Sequence, residues 1–201
     1  MNELIHIDQT WLLAINGCHA PWADTLMWIV SGKLTWVPLY ALLVFLIVKR
    51  YRQPMTSWQS VLGKIPAYIW IMVGFGLAVG LSDFVSSGII KHAVCRLRPT
   101  HDPQLASIVH VVREYRGGLY GFVSSHAANT MSCALLFSLI WRNWKATLPL
   151  MIWVALNCYS RMYLGVHYPG DILGGLIVGT ILAAGVYRIL IRLRIVVNPS
   201  V

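Results

Sequence analysis

From about position 26 onward the chain alternates long apolar runs with short polar breaks. The runs fall near 26–48, 65–90, 123–141, 147–163 and 171–190. Several approach or exceed the roughly 18 consecutive apolar residues that mark a membrane-crossing helix. Before them, residues 6–20 mix apolar and polar positions around Trp11, a stretch too short and too polar to span but suited to a helix lying in the membrane interface. The first run begins too late to be a cleaved signal peptide. It is expected to carry Lys33 snorkelling near its outer end and to stop at Lys49, Arg50 and Arg52. The turns RNWK (142–145) and GVHYPG (165–170) separate the last three runs, and 91–121 is one long polar loop with paired glycines at Gly117 and Gly118. The pattern predicts an all-α integral membrane protein: a bundle of about five transmembrane helices plus a short N-terminal interfacial helix, forming a single domain over 1–201 without internal repeats.

Composition agrees, because 57% hydrophobic residues exceed what a soluble globular domain carries. The net charge of +9 would fit a nucleic-acid partner only if the basic residues followed one polar face. Instead they cluster at the ends of the apolar runs, so no nucleic-acid partner is expected and the bilayer is. Five crossings put Lys49, Arg50, Arg52, Lys64, Arg142, Lys145, Arg188, Arg192 and Arg194 on one face with no acid. The other face takes the remaining seven basic residues and all seven acids. By the positive-inside rule the all-basic face is cytoplasmic, and the long loop and the GVHYPG turn face outward. Trp22, Trp28, Trp36, Trp141, Trp144, Tyr163 and Tyr168 sit near run ends and read as interface anchors. Cys18, Cys95, Cys133 and Cys158 lack metal-ligand spacing and read as structural thiols.

Polar residues recur at the outer ends of the runs. Lys91 is followed seven residues later by Arg98-Pro99, then come Ser124-Ser125-His126, then Ser160-Arg161 with His167 and Asp171. Two guanidinium groups and an ammonium suit a dianionic phosphate, since Arg donates bidentate hydrogen bonds and Lys adds a compact charge. Ser124 and Ser125 open a helix, whose N-terminus presents free N–H groups to an anion. Asp171 can accept a hydrogen bond from one imidazole nitrogen of His167, which fixes the tautomer and activates the other nitrogen. His126, from another helix, can act as the acid on a leaving oxygen. No metal is expected, because three cations beside the site would repel a divalent ion and no H-E-x-x-H spacing occurs.

These residues resemble the three-part signature of the type 2 phosphatidic acid phosphatase family: K-x6-R-P at 91–99, S-x-H at 124–126 and S-R-x5-H-x3-D at 160–171. The resemblance implies a membrane hydrolase that needs no cofactor. In it His167 attacks phosphorus to form a phosphohistidine and Asp171 orients that ring. His126 protonates the leaving group and then activates water, while Lys91, Arg98, Ser124, Ser125 and Arg161 hold the phosphate. Substrates implied by the family are undecaprenyl diphosphate, phosphatidylglycerol phosphate, phosphatidic acid and lipid A phosphate, cleaved at the outer leaflet of a bacterial inner membrane. One departure stands in the second motif, where Val123 and Ser125 replace the family's proline and glycine.

Two other functions use part of the set. An intramembrane serine protease would employ Ser124 or Ser125 with a histidine and leave the three cations idle. A lipid-phosphate binding or flipping protein would use the cations and leave His167, Asp171 and His126 idle. Asp83 is an intramembrane acid and so a functional candidate, with Lys91 or a hydroxyl as a structural partner. Arg96, His101, His110, Arg113 and Arg116 are candidates for contact with a lipid headgroup.

Overall fold

The computed structural model describes residues 2–52 and 65–196; Lys64, assigned above to the basic face, lies outside them. Among the described residues eight α-helices follow one another: α1 (Asn2–Gly17), α2 (Pro21–Ser31), α3 (Val37–Tyr51), α4 (Ala67–Asp83), α5 (Lys91–Val94), α6 (Ser125–Trp141), α7 (Trp144–Tyr163) and α8 (Pro169–Arg192). A π-helical stretch, Phe84–Ile90, joins α4 to α5 without a break. Among the described residues three continuous helical stretches are long and apolar enough to cross a membrane: Leu34–Tyr51, Ala67–Val94 and Pro169–Arg192.

The first expected run is divided. Its residues 26–31 belong to α2, which stops where Gly32 turns extended (φ −70, ψ 130), and the spanning stretch begins only at Leu34. Lys33 therefore stands in a break between helices, and it lines the central cavity. The N-terminal region is likewise two helices, α1 and α2, where one short helix was expected.

At the centre stands α6, buried along most of its length from Ser125 to Ile140. It lies against α8 so closely that side chains must be absent at the crossing. A Cβ on Gly175 would come 2.4 Å from the Ser124 carbonyl oxygen, and one on Gly179 would come 2.4 Å from that of Ala128. This four-residue spacing of glycines is how membrane helices bring backbones together without a hydrophobic driving force. Leu136, Phe137, Ile140, Ile71, Trp153 and Leu190 fill the core around it. Outward, Leu173, Ile177 and Ile181 of α8 are exposed at four-residue spacing, an apolar stripe suited to acyl chains.

Two of the expected interface anchors are core residues. Tyr163 is buried and donates to Asp24 Oδ1 at 2.6 Å, and Tyr168 is buried and donates to Asp102 Oδ2 at 3.0 Å. Their hydroxyls found partners in the loop and α2, so the phenols did not need the aqueous boundary. Asn16 of α1 is also buried; it donates to the Tyr163 and His110 carbonyls and accepts from His110 N–H, latching α1 to the long loop. All four cysteines are free thiols.

Candidate active site

A cavity of about 590 Å³ lies among α3, α4, α6, α7 and the long loop, lined by Lys91, Arg98, Ser125, His126, Arg161 and His167 among others. An apolar groove of about 310 Å³ shares Tyr40, Val79 and Asn129 with it and continues between α3 and α4 along Leu43, Val44, Ile47, Met72 and Phe75.

Each cation reaches the cavity from a different element. Lys91 follows the π-helical stretch, and its ammonium donates to Ser125 Oγ at 2.8 Å, which Ser87 Oγ also meets at 2.7 Å. The serine in place of the family's glycine thus gives the lysine a partner. Arg98 precedes Pro99 in extended backbone and donates to the carbonyls of Tyr120 and Val166 at 3.1 and 3.2 Å. Two glycines make room for this loop: a Cβ on Gly117, whose φ is +68, would meet Arg98 Nη1 at 2.8 Å, and one on Gly121 would meet Asp171 Oδ2 at 2.8 Å. Arg161, in the last turn of α7, donates to Ser31 Oγ and to Tyr115 Oη at 3.2 Å. Burial pushes the Tyr115 phenol up, yet Arg161, Arg98 and Lys33 together hold it below its ordinary pKa.

The partners of these three cations are hydroxyls, carbonyls and, for Arg98, the ring nitrogen of His167. Among the described residues, none of Lys91, Arg98 and Arg161 forms an ion pair with a carboxylate. Buried or half-buried charges without a counter-charge are costly, and an incoming anion relieves that cost.

His167 is buried between Arg98 and Asp171. Arg98 Nη1 lies 3.3 Å from Nε2, and because a guanidinium only donates, this ring nitrogen carries the lone pair. Nδ1 then carries the proton and lies 3.4 Å from Asp171 Oδ2, longer than a well-formed hydrogen bond, with no other partner. Such bonds often tighten only when substrate is bound. Burial, then Arg98, Arg161 and Lys91, hold the His167 pKa well below its ordinary value, so the ring is neutral. His126 lines the cavity from the first turn of α6. Ser124 does not line it: fully buried, it caps α6 by accepting from Ala127 N–H at 3.5 Å. The Ser124 hydroxyl is thereby spent on the cap.

Asp171 is itself anchored. It sits at the third position of α8, where Oδ2 accepts from the Tyr168 backbone N–H at 3.0 Å, and Oδ1 accepts from Arg96 Nη1 at 3.0 Å. Arg96 continues to Asp8 of α1 at 2.7 Å and its Cζ lies over the Tyr168 ring, 4.0 Å from the centroid. Asp8 also accepts from Gly170 N–H at 2.7 Å. The sequence offered Arg96 for a headgroup; it is spent on two carboxylates. The readable signal was the R-L-R spacing: Leu97 bridges Tyr120 in extended backbone, so Arg96 and Arg98 point the same way, toward 166–171. His110 Nε2 meets Asp24 at 3.0 Å, Arg116 Nη1 donates to the Thr100 carbonyl, and Arg113 lies over Trp28. Asp83 accepts from Asn129 Nδ2 at 3.0 Å.

A sequence model of the PAP2 superfamily matches residues 68–195. A lipid A 4'-phosphatase of Bacteroides thetaiotaomicron is 34% identical over 177 residues, covering 88% of this chain and 73% of that protein. One of Porphyromonas gingivalis is 34% identical over 194 residues, covering 96% and 77%. Among solved structures, a transmembrane PAP2-type phosphatidylglycerolphosphate phosphatase of Bacillus subtilis superposes with a TM-score of 0.65 at 20% identity, over 100% of this chain and 90% of that one.

Proposed function

Since the chain belongs to the PAP2 superfamily, we propose that it removes phosphate from a membrane lipid in two steps at His167. Lys91, Arg98 and Arg161 take the phosphate oxygens, and Ser125 positions Lys91. His167 Nε2 attacks phosphorus, forming an N–P bond as the bond to the lipid oxygen breaks, and His126 gives that oxygen a proton. Asp171 accepts from Nδ1–H and stabilises the charge that the ring gains. His126 then takes a proton from water, whose oxygen displaces Nε2 and frees inorganic phosphate. Most of the rate comes from fixed cations meeting charge as it spreads over the phosphoryl oxygens. Ser124 serves as the cap that fixes the start of α6.

The observation that supports this reading is the meeting of three cations that form no ion pair with a carboxylate among the described residues with a neutral His167 whose lone pair faces Arg98. The apolar groove beside the cavity suits an acyl or prenyl tail that stays in the bilayer while the headgroup reacts. Lipid A 4'-phosphate, named for two relatives 34% identical to this chain, leads the candidate substrates, ahead of undecaprenyl diphosphate, phosphatidylglycerol phosphate and phosphatidic acid. The split of charges supports five crossings in a bacterial inner membrane, with the cavity facing the periplasm. The test is brief incubation with labelled lipid phosphate followed by rapid denaturation. Wild type should carry an acid-labile, base-stable phosphate, His167→Ala should carry none, and chelator should leave turnover intact. Label retained in His167→Ala would overturn the assignment.

A further inference from the structure

The cavity has a second polar wall, which joins the phosphate clamp at Lys91 and whose Asp83 and Asn129 the clamp leaves unused. Asp83, Ser87 and Lys91 follow at four-residue intervals along it, and Asn129 of α6 faces Asp83. Asn129 Nδ2 donates to Asp83 Oδ1 at 3.0 Å. An ionised carboxylate only accepts, so this bond fixes which way the amide points, and it leaves Asn129 Oδ1 buried with no partner. An orphaned acceptor destabilises the fold, and a carboxylate within an apolar spanning helix is costly as well. Folding alone favours neither. Asp83 is exposed within the cavity lining, so its remaining acceptor positions stay open.

Around the phosphate the cavity offers donors, and at Asp83 it offers an acceptor with a negative charge. We propose that Asp83, held in place by Asn129, reads the group that bears the phosphate. It accepts a hydrogen bond from a hydroxyl or amide N–H of the headgroup, and its charge disfavours a second phosphate there. The enzyme then selects a monophosphate carried on a sugar or polyol. Phosphatidic acid has every glycerol oxygen esterified and a prenyl diphosphate has no hydroxyl, so neither can satisfy Asp83. A site built to bind a hydroxyl rejects analogues that lack it more strongly than an apolar pocket can. This inference rests on the phosphatase reading above.

The test compares kcat/KM of the full-length protein in mixed micelles on four lipids. Lipid A and phosphatidylglycerol phosphate carry donors; phosphatidic acid and undecaprenyl diphosphate do not. Wild type should favour the first pair, and Asp83→Ala should lower the ratio of first to second by about tenfold. Asp83→Asn keeps the shape and one acceptor without the charge, so it should retain part of the preference for hydroxyls while losing discrimination against the diphosphate. Equal losses on all four lipids in both variants would mean that Asp83 acts on Lys91 or on folding, and would overturn the proposal. Phosphate release from none of them by wild type would instead sink the phosphatase reading on which it stands.

Discussion

Replacing Arg96 should slow the reaction without weakening substrate binding. Its guanidinium donates to Asp171 Oδ1 at 3.0 Å and to Asp8 Oδ2 at 2.7 Å, with a side chain 26% exposed. Asp171, with no exposed surface, would keep only the Tyr168 N–H as a fixed donor in Arg96→Ala. A hydrogen bond to a charged group contributes about 1.5–3 kcal/mol, which corresponds to about 10- to 100-fold in rate if Asp171 must be held still for His167 to react. The loss should fall on kcat, because Arg96 does not line the cavity proposed to take the phosphate. Arg96→Lys should be intermediate, since an ammonium cannot span two carboxylates while lying over the Tyr168 ring. Asp8→Asn, which leaves the bond to Asp171 intact, should be mildest. Steady-state kinetics on detergent-solubilised protein, corrected for folded fraction by thermal melting, would measure the series. A raised KM with kcat preserved would refute the reasoning, because Arg96 would then be touching the lipid headgroup as the sequence suggested.

The cations differ from Arg96 in having no carboxylate, so Arg98→Lys and Arg161→Lys should each cut kcat/KM severely although charge is kept; near-normal turnover in both would sink the clamp. His167 bears on stability too. Its pKa in the fold is depressed, so below its ordinary value of 6.5 the unfolded chain takes up a proton that the native ring refuses. The stability it allows is complete above that pH and declines as pH falls below it. Thermal midpoints of wild type should therefore fall more steeply between pH 6.5 and about pH 5 than those of His167→Gln; parallel curves would contradict a buried neutral ring. For orientation, Cys18 and Cys95 are exposed and should first be changed to serine. In that background a membrane-impermeant thiol reagent should label Leu119→Cys in intact cells and leave Trp144→Cys unlabelled, both positions being exposed. The opposite pattern would put the cavity on the cytoplasmic side.

Hydropathy and spacing carried the broad outline because they report local properties. Apolar runs announced the helices α4 and α8, and the three motifs hold Lys91, Arg98, Ser125, His126, Arg161 and His167, which line one cavity. What escaped depends on contacts between distant segments. The break at Ser31, Gly32 and Lys33 interrupts an apolar run whose average still reads as a span, yet it lets Ser31 reach Arg161. Tyr115 stands within the long polar loop, and nothing in its neighbourhood along the chain marks it as the partner of Arg161. Ser124 resembled a phosphate ligand by motif, whereas its hydroxyl is taken by the cap that its position at the head of α6 also predicts. Tyr163 and Tyr168 were placed by their position near run ends, and burial with a hydrogen-bond partner was invisible without α2 and the loop.

Two arginines two residues apart show why the site works as it does. Arg96 and Arg98 leave the same extended strand of backbone and point toward the same segment, so sequence alone gives them equal claims. Their surroundings separate them. Arg96 meets two carboxylates, so its charge is neutralised before any substrate arrives, and an added anion would have to displace them. Arg98 meets two carbonyl oxygens and the lone pair of a neutral imidazole, which orient it without cancelling its charge. Burial and the neighbouring Arg161 even lower its pKa, a sign that the resting cavity holds more positive charge than it can comfortably solvate. A phosphate dianion reverses that imbalance at the place where Nε2 waits. In the proposed reaction the Asp8–Arg96–Asp171 chain therefore spends its charge on holding the partner of His167, and the three cations that form no ion pair among the described residues keep theirs for the phosphoryl group.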